Sequence, residues 1–169
     1  MLLDPQKTSW LVQVLTLHYL IDGYLDGERD KSIFRLLDKE GVDLPLASVQ
    51  FQPAGNLAAP MHAVVPWTMV FGQNQVALIP RDAAAVAYAV QNIPAYLKQS
   101  FQAEVYAGPY VIRGKLLCSD SSVRVMPTQS IFPMLDVEVT CLLAGSKLAL
   151  KAPYLMVLAA HKELIAPVG

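Results

Sequence analysis

Residues 12–25 read VQVLTLHYLIDGYL and residues 103–116 read AEVYAGPYVIRGKL. Laid over each other, Val14 meets Val105, Tyr19 meets Tyr110, Ile21 meets Ile112, Gly23 meets Gly114 and Leu25 meets Leu116. Working outward, the series continues in order. Residues 44–51 (LPLASVQF) lie over 132–139 (FPMLDVEV), 66–70 (PWTMV) over 153–157 (PYLMV), and Leu78 and Pro80 over Ile165 and Pro167. The spacing shortens slightly along the chain and always in the same direction, as changes of loop length produce. Collinear self-similarity of this kind marks a repeated structural unit. The copies occupy roughly residues 8–80 and 101–168.

Within a copy the periodicity is that of strands. Val105, Ala107 and Val111 alternate with Glu104, Tyr106 and Tyr110, and Ile112, Gly114 and Leu116 alternate with Arg113 and Lys115, a period of two. His18-Tyr19 and Gly108-Pro109 fall where the first two strands turn. A glycine inside the second strand, Gly23 or Gly114, signals a bulge or sharp bend. Further strands are expected at 46–52 and 134–143. A closing hairpin is expected from 61–71 with 75–79, and from 147–158 with 163–166.

Between the copies the composition changes to RDAAAVAYAVQ at 81–91. Asp82 is a good N-cap and the alanines after it are strong helix formers. Val86 and Val90 share one face, and Pro94 stops the helix. A second short helix is expected to start at Pro94 and run through Tyr96, Leu97 and Lys98. Residues 31–38 (KSIFRLLD) could form a helical turn with Ile33, Leu36 and Leu37 inward. The expected architecture is mainly β. Residues 1–80 and 101–169 each form a five-stranded small barrel, joined by a helical linker at 81–100.

The pattern V-x-V…Y-x-I-x-G-x-L, then a central strand and a closing hairpin, resembles the Sm-like (LSm, SH3-like) barrel. The stretch MVFGQNQVALI at 69–79 is similar to its second signature, and the bent second strands with Gly23 and Gly114 are similar to its first. The repeat is also similar to small uncharacterised bacterial domains with the same tyrosine-isoleucine-glycine run. Sm-like RNA binders carry an Arg before the hairpin glycine and an Asp/Asn loop after the second strand. Here Phe71 precedes Gly72, the second copy has Leu158-Ala159-Ala160, and no Met-Asn pair follows either second strand. The resemblance therefore implies the fold without the usual RNA site.

Composition sets the remaining bounds. The 169 residues are 54% hydrophobic and 16% charged, with formal net charge −1, and mean hydropathy is +0.37. A charged fraction of about 25% is usual in globular domains, so apolar surface beyond the needs of a monomer core is expected. Near-neutral charge is a poor match to a phosphate backbone, and no run approaches the roughly 20 apolar residues of a membrane span. The start, MLLDPQK, lacks the basic and apolar regions of a secretory signal, so a cytoplasmic location is expected. Cys118 and Cys141 sit in apolar runs without metal-ligand spacing and read as small buried hydrophobes.

Catalytic chemistry finds no foothold. His18, His62 and His161 have no spacing that would share a metal. Asp22, Asp26, Glu28, Asp30, Asp38, Glu40 and Asp43 lack the calcium-loop pattern and read as a solvated loop. Nucleophile-elbow, P-loop and dinucleotide motifs are all missing from the sequence. No enzyme activity, cofactor or metal is expected. The candidate binding residues are the matched aromatics Trp67 and Tyr154, and Tyr19 and Tyr110. They fill barrel cores or the contact between barrels, or they form a stacking surface. The expected function is a non-catalytic assembly or protein-interaction module of pseudo-dimeric build, self-associating into a homo-oligomer or binding another protein. The alternatives are an Sm-like nucleic-acid binder, or a small-ligand protein with a cleft between the repeats lined by Trp67, Tyr154 and the central helix.

Overall fold

A computed structural model describes residues 8–27, 43–57, 64–119, 131–158 and 161–168. His62, the segment 31–38 and the acidic residues Glu28, Asp30, Asp38 and Glu40 lie outside them. The strands are β1 (Thr8–Thr16), β2 (Tyr19–Gly27), β3 (Leu44–Pro53), β4 (Val65–Val70), β5 (Gln75–Pro80), β6 (Gln99–Ala107), β7 (Tyr110–Cys118), β8 (Ile131–Cys141), β9 (Ala149–Leu158) and β10 (Lys162–Pro167), with one α-helix among the described residues, α1 (Ala83–Gln91), and a 3-10 turn at Gly72–Asn74. All ten strands join one antiparallel sheet in the order β10-β6-β7-β8-β9-β5-β1-β2-β3-β4. Where two separate barrels were expected, a continuous sheet runs through both halves and does not close.

The halves follow the same path. In each, the fifth strand lies beside the first, and the second, third and fourth follow outward. Val14 faces Ile21 as Val105 faces Ile112; Ile21 faces Phe51 as Ile112 faces Val139. Leu44 faces Val70 as Phe132 faces Val157, and Val14 faces Leu78 as Val105 faces Ile165. Even the irregularity repeats. The register slips at Gly23 and at Gly114, opposite Ser48 and Asp136, the two non-glycine residues with positive φ among the described residues, both at 51°. The glycines are required by close approach. A Cβ on Gly114 would stand 2.8 Å from the Leu135 carbonyl oxygen, and one on Gly23 would stand 3.1 Å from Leu46 Cβ.

The β5–β9 pairing, with Ala77 opposite Val157 and Leu78 opposite Met156, stitches the halves together. Side chains alternate across a strand, so a strand covered on both faces can serve two cores. β9 does this. Leu155 and Val157 pack with Ile112, Phe132 and Val139 of the second half. Tyr154, Met156 and Leu158 pack instead with Val12, Val14, Leu78, Ala85 and Ala89. β5 behaves likewise, with Leu78 in the latter cluster and Ala77 and Ile79 in the former.

Helix α1 starts where the sequence indicates. Asp82 accepts from the Ala85 amide at 2.7 Å and from the Leu11 amide of β1 at 3.0 Å, so one carboxylate caps the helix and ties it to the sheet. Its inward face is Ala85 and Ala89, with Tyr88 stacked at a tilt on Trp10. Val90 is exposed, and the small alanines allow the helix to lie close to β1, β5 and β9. The helix ends at Gln91. In place of a second helix at Pro94 there is one turn, closed by the Leu97 amide on the Pro94 carbonyl at 3.0 Å. The first hairpin bends at Leu17-His18 and Tyr19 already belongs to β2. The Thr16 hydroxyl takes up the Tyr19 amide at 3.0 Å there. Among the described residues no helix is long and apolar enough to cross a membrane.

Candidate interaction site

The four aromatics singled out from the sequence fall into two environments, and the division follows the halves. Tyr154 and Tyr110 are fully buried, whereas Trp67 and Tyr19 are 67% and 43% exposed. Tyr154 lies on β9 and Trp67 on β4, with four strands between them in the sheet order. Tyr154, being fully buried, is not open to a cleft that Trp67 could share. Beside α1 there is instead an open groove of about 430 Å³, bordered by Arg81, Asp82, Val86, Lys151 and Pro153.

Both buried tyrosines serve the contact between halves. Tyr154 projects from β9 into the cluster built mainly on the first half. Tyr110 donates from its hydroxyl to the Thr16 carbonyl at 2.7 Å, across from β7 to the end of β1. Burial raises both phenols well above their ordinary range, for Tyr110 with a smaller push from Cys141. They stay protonated at any working pH and act as packing and hydrogen-bonding groups, not as acids or bases. The same junction holds a bond from Ser146 Oγ to the Ala54 carbonyl at 2.9 Å and a contact of His161 Nε2 with the Gln73 carbonyl. Near it, Gly108, at φ +54°, packs against Leu17 and Val76.

On the first half the same positions are bare. β4 repeats the β9 motif, with Pro66 for Pro153, Trp67 for Tyr154, Met69 for Met156 and Val70 for Val157. Val70 is buried as Val157 is, since that face points into the core of its own half. The outer face differs. Tyr154, Met156 and Leu158 are 0%, 0% and 9% exposed, while Trp67, Met69 and Phe71 are 67%, 38% and 55% exposed. β4 is the last strand of the sheet and has no charged residue. Charged residues are a common way of blunting an edge strand. Tyr19 stands edge-on to Phe51, with ring centroids 5.9 Å apart, at the near end of β2. The other sheet edge, β10, exposes Leu164, and Val168 just past it is exposed as well.

Chemistry of other kinds is thin among the described residues. No group of three His, Cys, Asp or Glu side chains is placed to hold a metal ion. Cys118 is buried and Cys141 half-buried, and the two do not form a disulfide. Asp22 is half-buried beside Gln13, and burial raises its carboxyl against the pull of the Gln13 hydrogen bond and the Arg81 charge. The corresponding pair in the second half, Glu104 and Arg113, is a 2.7 Å ion pair on the surface. Comparison with protein-family models, curated proteins and solved structures finds no match for this chain.

Met69, Phe71 and Leu164 escaped the sequence reading, which weighed matched aromatics alone. The signal available was the uncharged run PWTMVF at 66–71 in a strand expected to close a hairpin.

Proposed function

We propose that this chain is a non-catalytic assembly module, built from two Sm-like units in tandem and joined to other proteins through the open edge of the first. One observation carries the reading. The face that seals the second half to the first, Tyr154–Met156–Leu158, recurs on β4 and just past it as Trp67–Met69–Phe71, and there it is exposed. At roughly 25 cal/mol per Å² of apolar area removed from water, a tryptophan, a methionine and a phenylalanine on one uncharged edge are a substantial reason to associate. An extended strand added to that edge also satisfies its free backbone groups. The aromatics are anchors in this reading, and no residue needs to titrate or react.

Light scattering on the intact protein tests it. The wild type is expected to exceed the 18.5 kDa of one chain at micromolar concentration. Trp67→Glu is expected to fall to that mass with its circular dichroism unchanged. A wild type that runs as a single chain throughout that range removes the support for self-association.

A further inference from the structure

β5 and β9 run side by side for two residue pairs, Ala77 with Val157 and Leu78 with Met156, and then part. Proline has no N–H to give to a ladder, and each strand carries one just beyond that contact, Pro80 in β5 and Pro153 in β9. The first turns of α1 border the gap, which leaves the open groove of about 430 Å³. Its walls come from the fifth strand of one half, the fourth strand of the other and the helix between them, so the repeat does not duplicate it among the described residues. We propose that this groove binds a small organic monoanion, a carboxylate carried on a compact apolar body. It lies apart from the β4 edge and does not depend on assembly.

Charge and lining select that class of ligand. Between the charged residues the walls are apolar, formed by Pro80, Ala83, Val86, Ala152 and Pro153. Arg81 and Lys151 stand exposed at the border. Neither forms an ion pair among the described residues; Arg81 acts on Asp22 through its charge alone. Asp82, the groove's one carboxylate, is taken up by the Ala85 and Leu11 amides. Two cations against one carboxylate leave a single positive charge, which a monoanion balances and a dianion exceeds. The two prolines offer no N–H, so the negative group falls to Arg81 and Lys151 while the apolar body lies on the proline and alanine walls. Past Lys151 a second hollow of about 400 Å³ is bordered by Asp136 and Glu138, whose charges keep an anion at the Arg81 end. The volume suits a small molecule, for which sites of about 300–1,000 Å³ are usual.

Titration of the intact protein with naphthoate, followed by amide NMR shifts, tests the site. Saturable shifts are expected at Ala83, Ala87 and Ala152, and naphthamide, the same body without the charge, should bind more weakly. Arg81→Gln and Lys151→Gln should each weaken naphthoate by up to about fivefold, the scale of one solvent-exposed ion pair. Both residues are exposed, so the fold should survive each change, as circular dichroism can verify. Ala87→Phe, which fills the groove from the exposed side of α1, should abolish the shifts. Naphthamide binding as tightly as naphthoate would overturn the proposal, because the cations would then play no part. Tighter binding of naphthyl phosphate would overturn the choice of a monoanion. Shifts confined to Trp67 and Met69, or no saturation at millimolar ligand, would overturn the site itself.

Discussion

β9 and β4 are close to the same strand written twice, and they lead opposite lives. Both run proline, aromatic, one residue, methionine, valine, and both pair with the third strand of their half in matching register. Yet Tyr154 is buried and Trp67 is two-thirds exposed. The difference lies in what stands beyond the strand. β9 has β5 alongside it, with β1 and α1 packed near that seam, whereas among the described residues no strand follows β4. A repeated sequence thus dictates a repeated path and register, while burial is decided by the neighbour.

The largest test of that contrast is truncation of the two aromatics. Tyr154→Ala should cost the chain about 3–5 kcal/mol in chemical denaturation, as removal of a large core side chain does. The loss should appear in the fluorescence of Trp10, which lies in the same cluster of the other half, and not only in the second half. Trp67→Ala should change the stability of the single chain by about 0.5 kcal/mol or less, as exposed substitutions do, and lose the assembly. A Tyr154→Ala chain whose Trp10 transition is unmoved would break the idea of interlocked cores.

The bulge glycines give a smaller contrast of the same kind. Overpacking costs about 1–3 kcal/mol. Gly114→Ala should lie at the upper end, because its Cβ would meet a backbone oxygen at 2.8 Å. Gly23→Ala should lie at the lower end, with a side-chain carbon nearest at 3.1 Å. Equal losses in thermal unfolding would mean that the two bulges are held alike.

The smallest effect concerns Asp22. Its carboxyl is raised by burial, so the folded chain holds that proton more firmly than the unfolded one. Stability from this group is therefore present in acid and is lost as pH rises through the folded-state pKa. Asp22→Asn should raise Tm at about pH 7, where the wild type must bury a charge, and leave it unchanged near about pH 3. Arg113→Gln at the matching position should leave Tm unmoved, because its ion pair with Glu104 is on the surface. A Tm raised equally at both pH values by Asp22→Asn would contradict the sign.

Much of the path was legible in the sequence. Gly23 and Gly114 marked the bulges, Asp82 marked the helix start, and the spacing of Val14, Ile21 and Leu78 against Val105, Ile112 and Ile165 carried the register. These are local or repeated signals, set by φ preference, capping and side-chain alternation. The seam was not legible, because pairing of β5 with β9 joins residues far apart in the chain and leaves the same period-two pattern whichever strand lies alongside. For the same reason the division of Tyr154 from Trp67 could not be read. Position in the sheet order, not residue type, separates them.

Amide hydrogen exchange across a concentration series reads the central claim directly, since association through the β4 edge must protect that strand. The account predicts that amides of β4 gain protection as concentration rises, while those of β5 and β9 stay protected throughout. Edge amides of β4 that exchange freely at every concentration would contradict it.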